Sequence, residues 1–219
     1  MTRGRFITFE GGEGAGKSTQ VRILAERLRG AGLDVVATRE PGGSPGAEAI
    51  RSLLVTGAVD RWSAMSETLL MYAARRDHIE RTVRPALERG AWVISDRFAD
   101  STRAYQGAGG GVPPGFVAAL ETFVLEDTRP DLTLILDLPV EQGLERAGLR
   151  GGGEARFEAK GVAFHQRLRE AFLSIAKAEP DRCAVLDAAA PPDAVSDAVW
   201  RVTASRLPVG PQTLGPQHV

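Results

Sequence analysis

The sequence predicts an α/β domain in which a five-stranded parallel sheet carries helices on both faces. Three observations lead there. Short apolar runs alternate with amphipathic stretches along the chain, and the first apolar run stops at a glycine-rich turn. A later run, Leu132-Thr133-Leu134-Ile135-Leu136, is almost continuously apolar, as a strand covered on both faces must be.

Taken in order, Phe6 to Phe9 is a short strand, and after the turn Ser18 to Arg29 reads as a helix with Val21, Leu24, Ala25 and Leu28 on one face. Gly30 to Gly32 ends that helix, and Val35 to Thr38 is the second strand. Ser44 to Leu54 and the long stretch Ser63 to Glu88 read as helices. Trp92 to Ser95 is the third strand, running directly into Asp96-Arg97. A loop containing Gly107 to Gly111 and Pro113-Pro114 then precedes a helix from Phe116 to Leu125. Beyond the fourth strand come a helix, a Gly/Arg-rich stretch from Gly148 to Arg156, and a helix from Ala163 to Ala178. Strand Ala184 to Leu186 and a final helix complete the pattern.

The 219 residues suit one domain, expected to span 1–207, with 43% hydrophobic and 25% charged residues as in ordinary globular proteins. From about Pro208 the tail is rich in Pro, Gly and Gln and is expected to be disordered. A net charge of −1 offers no basic surface for nucleic acid or anionic lipid. No run approaches the roughly 18 apolar residues of a membrane span, and the N-terminus has no signal-peptide pattern, so a cytoplasmic location is expected. One cysteine, Cys183, excludes an internal disulfide and a cysteine-based zinc site.

Gly11-Gly12-Glu13-Gly14-Ala15-Gly16-Lys17-Ser18 matches G-x-x-x-x-G-K-[ST] with no mismatch, between a strand and an amphipathic helix. Glycines let the backbone wind closely around phosphate oxygens and aim N–H groups inward, and the following helix adds its positive dipole end. Lys17 is expected on the β- and γ-phosphates and the Ser18 hydroxyl on Mg²⁺, with Thr19 closing the ATP-binding run. The motif defines ATP and GTP users without naming a substrate. A guanine-reading N-K-x-D is impossible here, because the chain contains no asparagine. Two strand-end carboxylates compete for the metal, Asp96 and Asp137. Asp96 is preferred because Arg97 follows it, placing a carboxylate near Mg²⁺ and a guanidinium near phosphate. Arg146, Arg150 and Arg156 flank Gly151-Gly152-Gly153, a composition suited either to a cationic lid over about 148–158 or to an ordinary surface loop.

Several segments together resemble the thymidylate kinase family: Phe9 to Thr19, Thr38-Arg39-Glu40-Pro41-Gly42-Gly43, Leu70 to Arg75, Asp96-Arg97-Phe98, Ser101 to Gly107, and Arg129 to Thr133. They fall in the family's order over residues 5 to 205. The resemblance implies the P-loop NTPase fold with an arginine-bearing lid, a homodimer, and the reaction ATP + dTMP → ADP + dTDP with Mg²⁺. Carried over by motif, Arg75 reads the thymine, Thr102 and Gln106 contact the base, and Tyr105 packs beside the deoxyribose. Arg97 holds the dTMP phosphate with Asp96 in support, and Glu13 lies near the 3′-hydroxyl. Glu40 and Arg51 complete the acceptor side. Where the family commonly stacks Phe on thymine, this chain has Met71, and Tyr72 is a candidate to share that role. With Glu13, Gly14 and Ala15 in the loop there is no P-loop arginine, so the catalytic cation is expected from the lid, at Arg156 first and Arg150 second. His78 and His165 are expected to be structural.

Overall fold

The computed structural model describes residues 3–150, 155–158 and 160–209, with the backbone alone at 150, 155 and 158. The centre of the expected lid, 151–154, and the tail from 210 lie outside the described residues.

In chain order the elements are β1 (Phe6–Glu10), α1 (Lys17–Gly30), β2 (Val35–Arg39), α2 (Pro45–Val55), α3 (Ala64–His78), α4 (Arg84–Glu88), β3 (Trp92–Asp96), α5 (Ala99–Thr102), α6 (Pro114–Leu125), β4 (Leu132–Asp137), α7 (Val140–Arg150), α8 (Ala155–Glu158), α9 (Val162–Ala178), β5 (Cys183–Asp187) and α10 (Pro192–Arg206). The strands form one parallel sheet in the order β2-β3-β1-β4-β5. Register sets Ile7 opposite both Ile94 and Leu132, and Phe9 opposite Asp96. The chain fills one side of β1 with β2 and β3, then crosses to the other side for β4 and β5. The carboxyl ends of β1 and β3 therefore flank a crevice of the kind that open α/β sheets use for ligands.

Side-chain alternation along the strands divides the core. Ile7, Phe9, Ile94 and Leu134 face α1 and α10, where Val21, Leu24, Leu28, Val195 and Val199 cover them. On the opposite face Phe6 and Val93 meet α3, α4 and α6, while Ile135 and Cys183 meet Phe164, Leu168 and Phe172 of α9. Both faces are covered, which is why the strand sequences do not alternate polar with apolar.

Two helical segments depart from the regular pattern. The long helix expected over Ser63 to Glu88 is interrupted by a π-helical stretch, Ile79–Val83, where the Arg84 N–H donates to the Ile79 carbonyl five residues back. The wider turn precedes Pro85, which has no N–H to give and whose ring would crowd a regular helix. The loop expected around Gly107 is instead helical as far as Gly109: α5 continues into a second π-helical stretch, Arg103–Gly109. That segment is fastened from beneath. Arg182 forks onto Asp100 at 2.7 and 2.9 Å, and Arg103 grips Glu121 through two bonds of 2.5 and 2.6 Å and Glu179 at 2.6 Å. The Asp100 and Glu121 carboxylates are buried and the two arginines partly so, which ties the segment to α6 and to the turn between α9 and β5.

Candidate active site

The phosphate cradle follows from how β1 ends. The chain leaves the sheet at Glu10, turns through six residues and enters α1 at Lys17, so the loop's N–H groups and the helix N-terminus share one concavity. Gly14 has φ +68°, and a Cβ there would stand 2.1 Å from the Gly143 carbonyl oxygen. In return, a Cβ on Gly143 would lie 2.5 Å from the Glu13 carbonyl oxygen. Loop and α7 thus touch backbone to backbone. The Lys17 ammonium donates to the carbonyls of Gly11 (3.2 Å) and Gly12 (2.7 Å), curled over the loop as a phosphate ligand must be.

Register brings Asp96 to the same mouth, where its carboxylate accepts from the Ser18 hydroxyl. The rival Asp137 is held by both arms of Arg169, at 2.7 and 2.9 Å, and so is already neutralised. A hydroxyl and a carboxylate at the edge of a phosphate cradle are hard oxygen donors and fit Mg²⁺, which takes one or two protein oxygens and completes its shell with phosphates and water. Among the described residues no cluster of three or more His, Cys, Asp or Glu could hold a metal by itself.

Arg97 joins the cradle to a second cavity. Its backbone sits at φ +70°, a left-handed conformation unfavourable for a side chain, held by its N–H to the Phe9 carbonyl (2.9 Å) and its carbonyl to the Ser95 hydroxyl (2.7 Å). The guanidinium then reaches the Gly11 carbonyl and the Glu13 carboxylate, each at 3.1 Å, and lies 4.9 Å from the centre of the Tyr105 ring. Glu13 also accepts from the Tyr105 hydroxyl at 2.6 Å. Burial alone would raise its pKa, but Arg97, Lys17 and that hydroxyl outweigh burial and hold it down at about 2. Beneath them Glu10 accepts from the Phe98 N–H (2.7 Å) and the Ser101 hydroxyl (2.6 Å). Burial, aggravated by the Asp100 carboxylate, pushes it up to about 8.

The second cavity, of about 400 Å³, is bounded by Glu40, Met71, Arg75, Arg97, Thr102, Tyr105, Gln106 and Phe157. All the acceptor-side residues carried over by motif are here except Glu13, which reaches it through Tyr105 and Arg97, and Arg51. The π-helical stretch after Thr102 borders the cavity and supplies Tyr105 and Gln106; the other begins directly after His78, four residues beyond Arg75. π-Turns commonly occur at functional sites because they redirect side chains. Arg75 is buried. Its Nε donates to Glu40 at 2.7 Å, both terminal nitrogens reach the Thr102 hydroxyl at 3.1 Å, and one also meets the Phe98 carbonyl at 3.0 Å. Because Thr102 accepts from Arg75, its own O–H is left to donate to an oxygen in the cavity.

Several expectations need correcting. Arg156 is not at the phosphate cradle. It is buried, donating to the carbonyls of Leu54, Ala58 and Val59 at 3.1 Å each and pairing with Glu67. Its partners lie on α2, α3 and the loop between them, so its charge is spent on fastening α8. Tyr72 does not face the cavity either. It is buried in the α3–α6 core with its hydroxyl toward Glu121 (3.4 Å), and its ring lies 4.8 Å beneath the Arg75 guanidinium as a support. Met71 does border the cavity, packed with the Tyr105 and Phe157 cluster. Arg51 donates to the Pro41 carbonyl at 2.8 Å and is not among the residues around the cavity. The Arg150 side chain lies outside the described residues; Arg146 donates to the Ala188 carbonyl at 3.0 Å.

Sequence reasoning missed Phe157, which walls the cavity and meets Tyr105 edge to face at 5.8 Å, although it adjoins the arginine singled out in the same stretch. Glu67 was also missed. It accepts from Gln106 at 2.8 Å and pairs with Arg156, and a single glutamate on a helix gives no local signal of either contact.

Comparison with known proteins agrees with this geometry. The family model described as thymidylate kinase matches residues 9–199. A thymidylate kinase of Caulobacter vibrioides is 68% identical over 207 residues, covering 94% of this chain and 99% of the relative. One from Nitrobacter hamburgensis is 56% identical over 209 residues, with 94% and 91% covered. The crystal structure of thymidylate kinase from Ehrlichia chaffeensis superposes with a TM-score of 0.73 at 35% identity, covering 91% of this chain and 98% of that one. A family model over residues 9–199 and relatives at 56–68% identity over nearly the whole chain place it plainly: the chain belongs to the thymidylate kinase family.

Proposed function

We propose that the chain transfers the γ-phosphoryl group of ATP to the 5′-phosphate of dTMP, giving ADP and dTDP. One observation carries the reading: the Arg97 guanidinium touches the Gly11 carbonyl and Glu13 of the cradle while also bounding the cavity that Arg75 enters. A single cation thereby reaches donor and acceptor phosphates together. In phosphoryl transfer the dTMP phosphate oxygen is already an anionic nucleophile, so the protein's work is alignment and neutralisation of charge.

Lys17 and the loop N–H groups hold the donor phosphates, and Arg97 holds the acceptor phosphate in line. Ser18 and Asp96 would hold Mg²⁺, which supplies charge neutralisation across the β- and γ-phosphates when bound. Arg75 and Thr102 offer N–H and O–H groups to the thymine oxygens, Gln106 borders the ring, and Met71 packs on its face. Tyr105, fixed by Glu13, stands beside the sugar and crowds a 2′-hydroxyl. With Arg156 engaged elsewhere, the lid's cation falls to Arg150. It ends α7 seven residues beyond Gly143, about 10 Å along the helix from the loop contact.

The same proposal makes the protein a cytoplasmic homodimer. The dimer is supported by exposed apolar side chains on the neighbouring helices α3 and α6, where Leu69 is 49% and Phe123 77% exposed. A monomer mass in sedimentation at micromolar concentration would remove that part. Among the described residues no helix is long and apolar enough to cross a membrane.

The test is a panel of nucleoside monophosphates and thymidine with ATP, following ADP release. Preference for dCMP, dGMP or thymidine over dTMP would overturn the substrate. Arg97→Ala should lower kcat by roughly 10²–10³ while ATP still binds, since it removes a group aimed at developing charge. Loss of ATP binding with acceptor affinity intact would contradict the role given to Arg97.

A further inference from the structure

His78 lies outside the family motifs quoted above and does not touch the cavity, yet it is fully buried and both ring nitrogens are engaged. Nδ1 lies 2.9 Å from Glu40 Oε1, and Nε2 lies 2.8 Å from the Thr38 hydroxyl. A carboxylate only accepts, so Nδ1 carries the proton and donates to Glu40. The other Glu40 oxygen, Oε2, takes the Arg75 Nε–H at 2.7 Å. Arg75 in turn reaches Thr102 at the cavity wall.

These contacts form a line from Thr38 through His78, Glu40 and Arg75 to Thr102, joining β2, α3 and α5. The turn between β2 and α2 is shaped around it. Gly43 has φ +84°, and a Cβ there would stand 2.4 Å from the Thr38 hydroxyl oxygen and 2.5 Å from His78 Nε2. The second glycine of Pro41-Gly42-Gly43 is thus required by the imidazole as well as by the backbone. The Thr82 hydroxyl secures the same turn by donating to the Gly43 carbonyl at 2.7 Å. Thr82 belongs to the π-helical stretch that begins immediately after His78.

We infer that His78 is a positioning residue for acceptor recognition: it fixes the Glu40 carboxylate, and Glu40 fixes the plane of the Arg75 guanidinium against the nucleobase. The inference rests on Arg75 reading the base. Glu40 can otherwise rotate about its own side-chain bonds and carry the guanidinium with it. The planar fork recognises an oxygen and a ring nitrogen together only at one tilt. His78 therefore acts on dTMP affinity and not on phosphoryl transfer.

The two halves of the imidazole can be replaced separately. In His78→Asn the amide nitrogen falls near Nδ1 and keeps a donor for Glu40. In His78→Gln it falls near Nε2 and keeps only the Thr38 side. His78→Gln and His78→Leu are expected to raise KM for dTMP about tenfold, with kcat and KM for ATP within about twofold of wild type. His78→Asn should return KM for dTMP to within about threefold. Thermal unfolding of each variant separates loss of fold from loss of positioning, because a structural histidine would lower Tm in all three and spare the difference between Asn and Gln. A second arm repeats His78→Gln in an Arg75→Ala background. There it should have no further effect on KM for dTMP, since the group it positions is gone. Equal KM for dTMP in the Asn and Gln variants, or an undiminished effect in the Arg75→Ala background, overturns the inference. If Arg75→Ala alone leaves KM for dTMP unchanged, the base-reading role of Arg75 fails instead, and the two failures are distinguishable.

Discussion

Arg156 separates a stabilising from a catalytic reading of the lid most sharply, and Arg156→Ala is the perturbation that decides. The change removes hydrogen bonds to the carbonyls of Leu54, Ala58 and Val59 and the partner of Glu67, a carboxylate that stays buried and also accepts from Gln106. If α8 stays in place, an unpaired buried charge of this kind costs ~3–5 kcal/mol. If α8 detaches, water reaches Glu67 and the loss of global stability shrinks. The cavity then loses its Phe157 wall, and the Gln106 amide loses its fixed partner. Either way the damage is to stability and dTMP binding together. Urea unfolding at pH 7, read beside steady-state kinetics in dTMP, measures both. Glu67→Gln in the Arg156→Ala background should recover part of the urea midpoint, because the orphaned charge is gone while an amide oxygen still accepts from Gln106. A hundredfold fall in kcat with unchanged urea midpoint and unchanged KM for dTMP would place the guanidinium on the transferring phosphoryl group and refute the stabilising assignment.

Two further outcomes follow from the geometry of the cradle. Gly143→Ala introduces a methyl 2.5 Å from the Glu13 carbonyl, whereas Gly148→Ala on the same helix meets nothing within 4 Å. Gly148→Ala should therefore stabilise by about 0.5–1 kcal/mol through helix propensity. In Gly143→Ala the same gain is overtaken by an overpacking cost of ~1–3 kcal/mol, and displacement of the loop should raise KM for ATP several-fold. Matching effects from the two alanines in chemical denaturation would show that the loop contact is slack. Glu10 gives a pH signature. Its folded pKa of about 8 lies above the ordinary 4.5, so the folded state holds a proton that the unfolded chain releases. Stability contributed this way is complete below about pH 4.5, falls by up to about 1.4 kcal/mol per pH unit as pH rises toward 8, and is flat beyond. Glu10→Gln does not titrate, so its stability relative to wild type should climb across that interval. A constant difference at pH 5, 7 and 9 would contradict the protonated Glu10.

Much of the architecture was legible because it is written in short-range patterns. Each strand is a run of three to five mostly apolar residues, and the cradle depends on glycines and a lysine within eight positions. The acceptor segment was less legible. Ser101 to Gly107 reads as the approach to a glycine-rich loop, yet it is helical because Arg182 and Arg103, anchored to Asp100, Glu121 and Glu179, hold it against the sheet. Glu121, Glu179 and Arg182 lie outside any local window around the segment.

The sequence by itself determined the parallel sheet, the phosphate cradle and the preference for a strand-end acid, since each follows from residue types at fixed short spacings, whereas the acceptor-side residues came only from the family resemblance. Only the tertiary structure decided which acid faces Ser18, by giving Asp137 to Arg169. The same holds for Arg156, turned toward Glu67 as a fastener, for Tyr72, laid beneath Arg75, and for His78, placed between Thr38 and Glu40. Apart from Tyr72, which lies three residues from Arg75, the deciding partner lies tens of residues away in the chain. What an arginine or a histidine does is set by the charge or dipole that the sheet order brings to it.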